Sequence, residues 1–290
     1  MKTKGIIYGV LSAIFFGSSG IFVKSGYQPN FSPVDLLMLQ YVIAGFLLFV
    51  YLVIRYKEKI ILSKDILKKL FIQGAIFNTL MTVCFYSSFK YLDVAVTTIL
   101  LYTYPSLVAL FSAFVLKEKL SKTKIMAIFG TLIGCILVLN LSDVNLNDNY
   151  LLGVIFGLLS AIFYAGLNIY AKYIVDDVEE IFITFYSTLF SLIVLLIFNY
   201  KFLLKVANVS YNSFLNATFL AVFCEIIPLT LLFSAIKYVG PVTTSIISTL
   251  EIPSAAILSF VFMKESLGVS QIFGIIMVIF SVVLLKKEES

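Results

Sequence analysis

Long runs of apolar residues, separated by short polar stretches, dominate the chain. Ten such runs stand out: Gly5–Val23, Val34–Ile54, Leu70–Phe89, Val94–Leu116, Ile125–Leu141, Leu151–Ile174, Ile181–Phe198, Phe214–Ile236, Val242–Met263 and Gln271–Leu285. Each is about 15–24 residues long, near the ~20 that carry a helix across a bilayer. The runs are apolar on all faces, whereas barrel strands would be short and alternating. Helices are therefore expected, because a segment in lipid must satisfy its own backbone hydrogen bonds. Gly5–Val23 reads as a retained span and not a cleaved leader: it contains Gly9, Ser12, Gly17, Ser18, Ser19 and Gly20, and no A-x-A site follows.

The pattern repeats. Residues 8–24, YGVLSAIFFGSSGIFVK, align without a gap on residues 156–172, FGLLSAIFYAGLNIYAK, at an offset of 148. At an offset of 147, Ser87, Lys90 and Tyr91 match Ser234, Lys237 and Tyr238, and Lys117–Glu118 matches Lys264–Glu265. The predicted units are residues 1–145 and 146–290, five helices each. An odd number of spans per unit makes the second copy start from the opposite side. The expected fold is thus an all-α membrane protein with ten transmembrane helices in two inverted five-helix repeats, an arrangement typical of secondary transporters with a midplane site. Gly5, Gly9, Ala13 and Gly17, with their mates Gly153, Gly157, Ala161 and Ala165, keep one face of each repeat's first helix small for close packing.

Charge sets the orientation. With the N-terminus in the cytoplasm, the segments on that side hold 16 of the 21 lysines and arginines and the other side holds 5. The loop Arg55–Lys69 carries six basic residues and its mate Asn199–Ser213 two, as inverted copies require. Both termini are expected in the cytoplasm and the chain in the plasma membrane. The net charge of +5 therefore reports topology, and no nucleic-acid partner is expected.

Composition agrees: 61% of the 290 residues are hydrophobic and 13% charged, with mean hydropathy +1.05, against about 25% charged in soluble domains. There is no histidine, and Cys84, Cys135 and Cys224 are scattered through apolar runs. No metal site, disulfide frame or cofactor is expected. An enzyme would need unusual chemistry, since no nucleophile or nucleotide motif is present.

The informative groups are ionisable residues inside spans, which are costly in lipid and usually functional. Glu225 lies mid-run before Pro228, and Glu251 lies inside its run before Pro253. The 147-residue offset maps Glu225 onto Asn78 and Glu251 onto Tyr104, with Pro105 near the mate of Pro253. These positions form a candidate central site, with Pro105, Pro228 and Pro253 as hinges, because proline frees backbone carbonyls. One carboxylate can receive the amine of a cationic or zwitterionic substrate and the other can carry a coupling proton. Tyr102 and Tyr104, with Phe85, Phe163 and Tyr164, can clasp a cation, and Asn168 can hydrogen-bond a substrate. Other polar residues read as structural. Ser32 and Asp35 are a helix start, Lys117 and Lys264 close helices, and Asp176, Asp177, Glu179 and Glu180 form a solvated loop.

The segment LSAIFFGSSGIFVK, and YLDVAVTTILLYTYPSLVALFSAFVLKEKLS with its proline Pro105 and Glu118–Lys119–Leu120, resemble the EamA-type permeases of the drug/metabolite transporter superfamily. Pro253 and Glu265–Ser266–Leu267 repeat the block, so the resemblance covers nearly the whole chain. It departs at Gln40, where the family often has Arg, at Lys117 and Lys264 in place of Gly, and at Ile252 between Glu251 and Pro253. The resemblance implies a plasma-membrane permease, commonly an exporter of amino acids or related metabolites. The expected partners are a small-molecule substrate and the lipid bilayer, with protons and a second copy of the chain left open. Uptake of a cationic or other metabolite, and a non-transporting scaffold or receptor, are the alternatives.

Overall fold

The computed structural model describes residues 2–26, 31–56, 62–92, 94–139, 150–264 and 267–289. Lys57, Lys59, Leu141, the boundary at 145–146, Glu265 and Ser266 lie outside these residues, as do the side chains of Lys24, Lys286 and Lys287. Regular structure among the described residues is helical, without strands. Eight helical stretches are long and apolar enough to cross a membrane, and Glu251–Phe262 and Val269–Leu285 are shorter apolar helices. Large apolar side chains face outward along them, including Phe46, Ile54, Phe114, Phe198, Phe262 and Phe273. Such a surface needs lipid and not water around it.

Several runs that look continuous in sequence are interrupted in space. The first is Lys2–Gly17 followed by Ser19–Gly26. The fourth is Val94–Leu101, a break at Tyr102 and Thr103, then Tyr104–Phe111. The ninth is likewise split at Thr249 and Leu250, so that Glu251 opens the helix Glu251–Met263 and does not lie mid-helix. Thr103 Oγ1 donates to Leu100 O at 2.7 Å and Thr249 Oγ1 to Ile246 O at 2.6 Å, each adding to the backbone bond that carbonyl accepts at the break. Pro105 and Pro253 both sit in the first turn after the break, where a missing N–H costs nothing.

The stretch Tyr211–Ser248 has 38 residues, ~57 Å of helix at 1.5 Å per residue and too long for one crossing. It turns at Gly240, whose φ of 80° lies in the left-handed region that favours glycine. The first helix shows the reversal. A Cβ on Gly5 would lie 2.6 Å from Tyr238 Cβ, and one on Gly9 3.6 Å from Ala235 and 3.0 Å from Ile247. Residues on both sides of the turn thus flank Gly9.

The small-residue stripes lie where close packing requires them. Gly5 and Gly9 meet Tyr238 and Ile247, while Gly153 and Gly157 meet Tyr91 and Leu100. Those partners are themselves 147 residues apart, so each half's first helix packs on the other half in the same way. The two halves share their cores: Tyr104, Val108 and Val138 pack in one cluster with Ala161, Ile246 and Val278.

Matching π-helical turns fall at Ile72–Asn78 and Val222–Ile226, each holding a candidate polar residue, and a further one, without a mate among the described residues, at Ser112–Leu116. In the second, Pro228 follows the turn after one residue, Ile227, and without an N–H it cannot donate back into it. In the first, the Gly74 carbonyl accepts from Thr79 Oγ1 at 2.9 Å and Ser191 Oγ at 2.8 Å. The same carbonyl keeps the Thr79 backbone N–H, so side chains reinforce the irregular turn at membrane depth. Lys117 and Lys264 end their helices with the same φ of 55°.

Candidate functional site

A cavity of about 200 Å³ lies between the halves. Glu225 and Glu251 both line it, together with Asn78, Tyr102, Tyr164 and Gln40. A second cavity of about 550 Å³ shares Glu251, Tyr102, Phe16, Phe85 and Leu101 with the first. Its other walls include Val23, Phe89, Val94 and Leu139, all at one end of the helix bundle. Glu251 therefore stands at the junction of an inner chamber and a vestibule.

Glu225 is buried, and neutral donors hold its carboxylate. Thr188 Oγ1 donates to one oxygen at 2.9 Å and Gln40 Nε2 to the other at 3.3 Å. Glu251 and Tyr102 line both cavities together. No lysine or arginine lines either cavity among the described residues. Asn78 Nδ2 donates to Ser191 Oγ at 2.9 Å, leaving its amide oxygen available.

Three substrate-binding candidates, Tyr104, Asn168 and Phe163, lie outside the cavity lining, as do the prolines Pro105, Pro228 and Pro253. Tyr104 is buried, donates to Ser245 O at 3.1 Å, and packs on Tyr164 with ring centroids 4.2 Å apart. Asn168 is fully buried, and its Nδ2 donates to Tyr164 O at 2.9 Å. Both position the aromatic wall. Pro228 accepts from Ser12 Oγ at 2.7 Å, pinning the proline region to the first helix. Phe163 does not line either cavity, whereas Tyr164 and Phe85 do. Sequence reasoning missed Thr188 and Tyr41. The signal for the first was a polar cluster, Ser187, Thr188 and Ser191, in an otherwise apolar run.

At the end opposite the vestibule lie ion pairs and an apolar cluster. The short acidic loop, expected to be merely solvated, clasps several elements there. Lys69 pairs with Asp177 at 2.6 Å, Lys237 with Glu180 at 2.9 Å, and Lys172 with Asp176 at 3.1 Å. Tyr56 donates to Glu179 at 2.6 Å. Beneath it, Leu48, Leu70, Ile174, Val178, Ile183 and Phe233 form a buried apolar plug. At the vestibule end, Asp35 and Ser32 close the expected helix start, with Ser32 N donating to Asp35 at 2.8 Å. The fully buried Asp35 also accepts from Asn199 at 3.0 Å and pairs with Lys205, tying the second helix to the other half.

The profile of the EamA-like transporter family matches twice, at residues 3–140 and 151–286. An uncharacterized transporter of Clostridium kluyveri is 23% identical over 289 residues, covering 95% of this chain and 91% of its own length. The uncharacterized transporter YxxF of Bacillus subtilis is 25% identical, covering 96% of this chain and 88% of its own. One crystal structure covers the whole of both chains with a TM-score of 0.80 at 14% identity, a likeness of fold alone.

Proposed function

The chain belongs to the EamA-like transporter family, and from that premise we propose that it is a secondary permease moving a small amine or amino-acid-like metabolite across the plasma membrane by alternating access. The observation that carries this reading is the shared cavity: two carboxylates line one chamber between the halves, Glu251 at the break in the ninth segment, and no lysine or arginine joins them among the described lining residues. Lipid-buried acids are expensive and persist where substrate or protons need them. The proposed architecture is ten spans in two inverted repeats, 1–145 and 146–290. The π-turns, helix breaks and left-handed lysines at corresponding positions support it, as does the twofold family match. With both termini cytoplasmic, the vestibule faces outside, and the clasp around Asp177 and Glu180 is the closed inner gate. We further propose efflux driven by exchange for protons at Glu225 and Glu251, with Pro105, Pro228 and Pro253 as hinges.

Proteoliposomes with an imposed pH gradient test this reading. Labelled amines or amino acids should accumulate on the acidic side and be released by a protonophore. Failure of every amine and amino acid to exchange across the bilayer would instead favour a non-transporting receptor. The inner clasp gives a second expectation. Each exposed pair contributes on the order of 1 kcal/mol or less, so Lys69→Ala with Lys237→Ala should leave folding intact but shift the gate. Thiol labelling of Cys224, which lines the inner cavity, should rise severalfold in a Cys84→Ser, Cys135→Ser background. Unchanged labelling would mean the clasp does not gate.

A further inference from the structure

The charges of the two cavities divide amines from amino acids, and this step rests on the transporter reading above. Glu225 and Glu251 are the only carboxylic acids among the described lining residues, and no lysine or arginine joins them. The lysines Lys69, Lys172, Lys205 and Lys237 are held at the ends of the bundle by Asp177, Asp176, Asp35 and Glu180. A carboxylate carried by a substrate would enter a low-dielectric chamber with two acids and no cation to meet it, and like charges there repel strongly. A protonated amine meets the opposite situation. Glu251 receives it at the junction, and Glu225 lies deeper in the same chamber. Phe16, Phe85, Tyr102 and Tyr164 offer faces for its apolar body and for the cation itself. A chamber of about 200 Å³ is smaller than the ~300 Å³ at which drug-sized pockets begin, so the molecule is small.

We infer that the substrate is a small protonated amine that carries no carboxylate group, and that Gln40 is a specificity-determining position. Gln40 is buried, lines the chamber and donates to Glu225. It supplies a neutral hydrogen bond where a cation would neutralise Glu225 and give an incoming carboxylate a partner.

The experiment uses matched pairs that differ only by the carboxylate: tyramine and tyrosine, phenethylamine and phenylalanine, cadaverine and lysine. Thermal unfolding of the purified full chain and counterflow in proteoliposomes are read for each. The amine of at least one pair should raise the melting temperature and exchange at least tenfold better than its amino acid. Gln40→Arg should cut the amine response tenfold or more and relieve the discrimination. Equal or better responses to the amino acids in the wild type would overturn the inference, whether or not Gln40→Arg folds. The transporter reading would survive that result if Glu251→Gln abolished the exchange. Responses confined to ligands without a positive charge, and unaffected by Glu251→Gln, would overturn both.

Discussion

Glu251→Gln should lower transport kcat/KM by about a hundredfold while leaving the melting temperature unchanged or raised. Truncating one partner of a desolvated charge contact costs about 2–5 kcal/mol of binding, and each 1.4 kcal/mol is tenfold. Stability moves the other way, because the folded protein gains nothing from a carboxylate in the cavity that lacks a basic partner. The amide has the same shape, so the lining of the chamber stays filled. Glu225→Gln should behave alike, since its amide oxygen can accept from Thr188 and its amide nitrogen can donate to Gln40 once that side-chain amide turns over. Opposite signs for activity and stability are what distinguish a functional acid from a structural one. Counterflow and thermal unfolding on the same preparation decide it: a fall in melting temperature of many degrees with transport intact would assign the acid to packing.

Gly17→Val should destabilise the protein by about 3 kcal/mol or more, and Gly17→Ala by about 1–3 kcal/mol, the range for overpacked cores. A Cβ at Gly17 would lie 2.7 Å from the Glu251 carbonyl oxygen, 2.8 Å from Ser254 Cβ and 3.0 Å from the Ala255 nitrogen. Two of these are backbone atoms, so no side-chain rotation relieves the clash. The same contact seats the first turn of the Glu251–Met263 helix against the first helix. Transport should therefore fall along with stability. Gly45 supplies the control, for nothing lies within 4 Å of a Cβ there. Gly45→Ala should be neutral or gain up to about 1 kcal/mol from helix propensity. Unfolding in a detergent series measures both, and equal effects at the two positions would show that the Gly17 contact is not tight.

How much of this was legible differs by level. The family resemblance and the apolar runs were readable because a residue's cost in lipid is local: each segment carries its own hydropathy and its own backbone bonds. The 147-residue offset was readable too, and it pointed to Asn78 opposite Glu225 and Tyr104 opposite Glu251. The offset did not reveal that Tyr104 turns its hydroxyl to Ser245 while Glu251 faces the cavities. Position along a helix does not set which neighbour a side chain meets, and two mates with different chemistry satisfy different partners. The acidic residues 176–180 looked solvated because their lysines lie about 60–110 residues away in sequence for the pairs Lys237–Glu180 and Lys69–Asp177.

The sequence by itself determined that this is a multi-pass helical membrane protein with an internal repeat and two acids placed where lipid makes them costly. Hydropathy, repeat spacing and charge bias are properties of the chain in order, and a bilayer reads them segment by segment. Only the tertiary structure decided that Glu225 and Glu251 share one chamber, that Gln40 and Thr188 hold the first, and that one end of the bundle is clasped while a vestibule lies at the other. Those facts depend on helix rotation, on the turn at Gly240 and on the close approach at Gly17. They arise from packing between residues far apart in the chain, which no local pattern encodes.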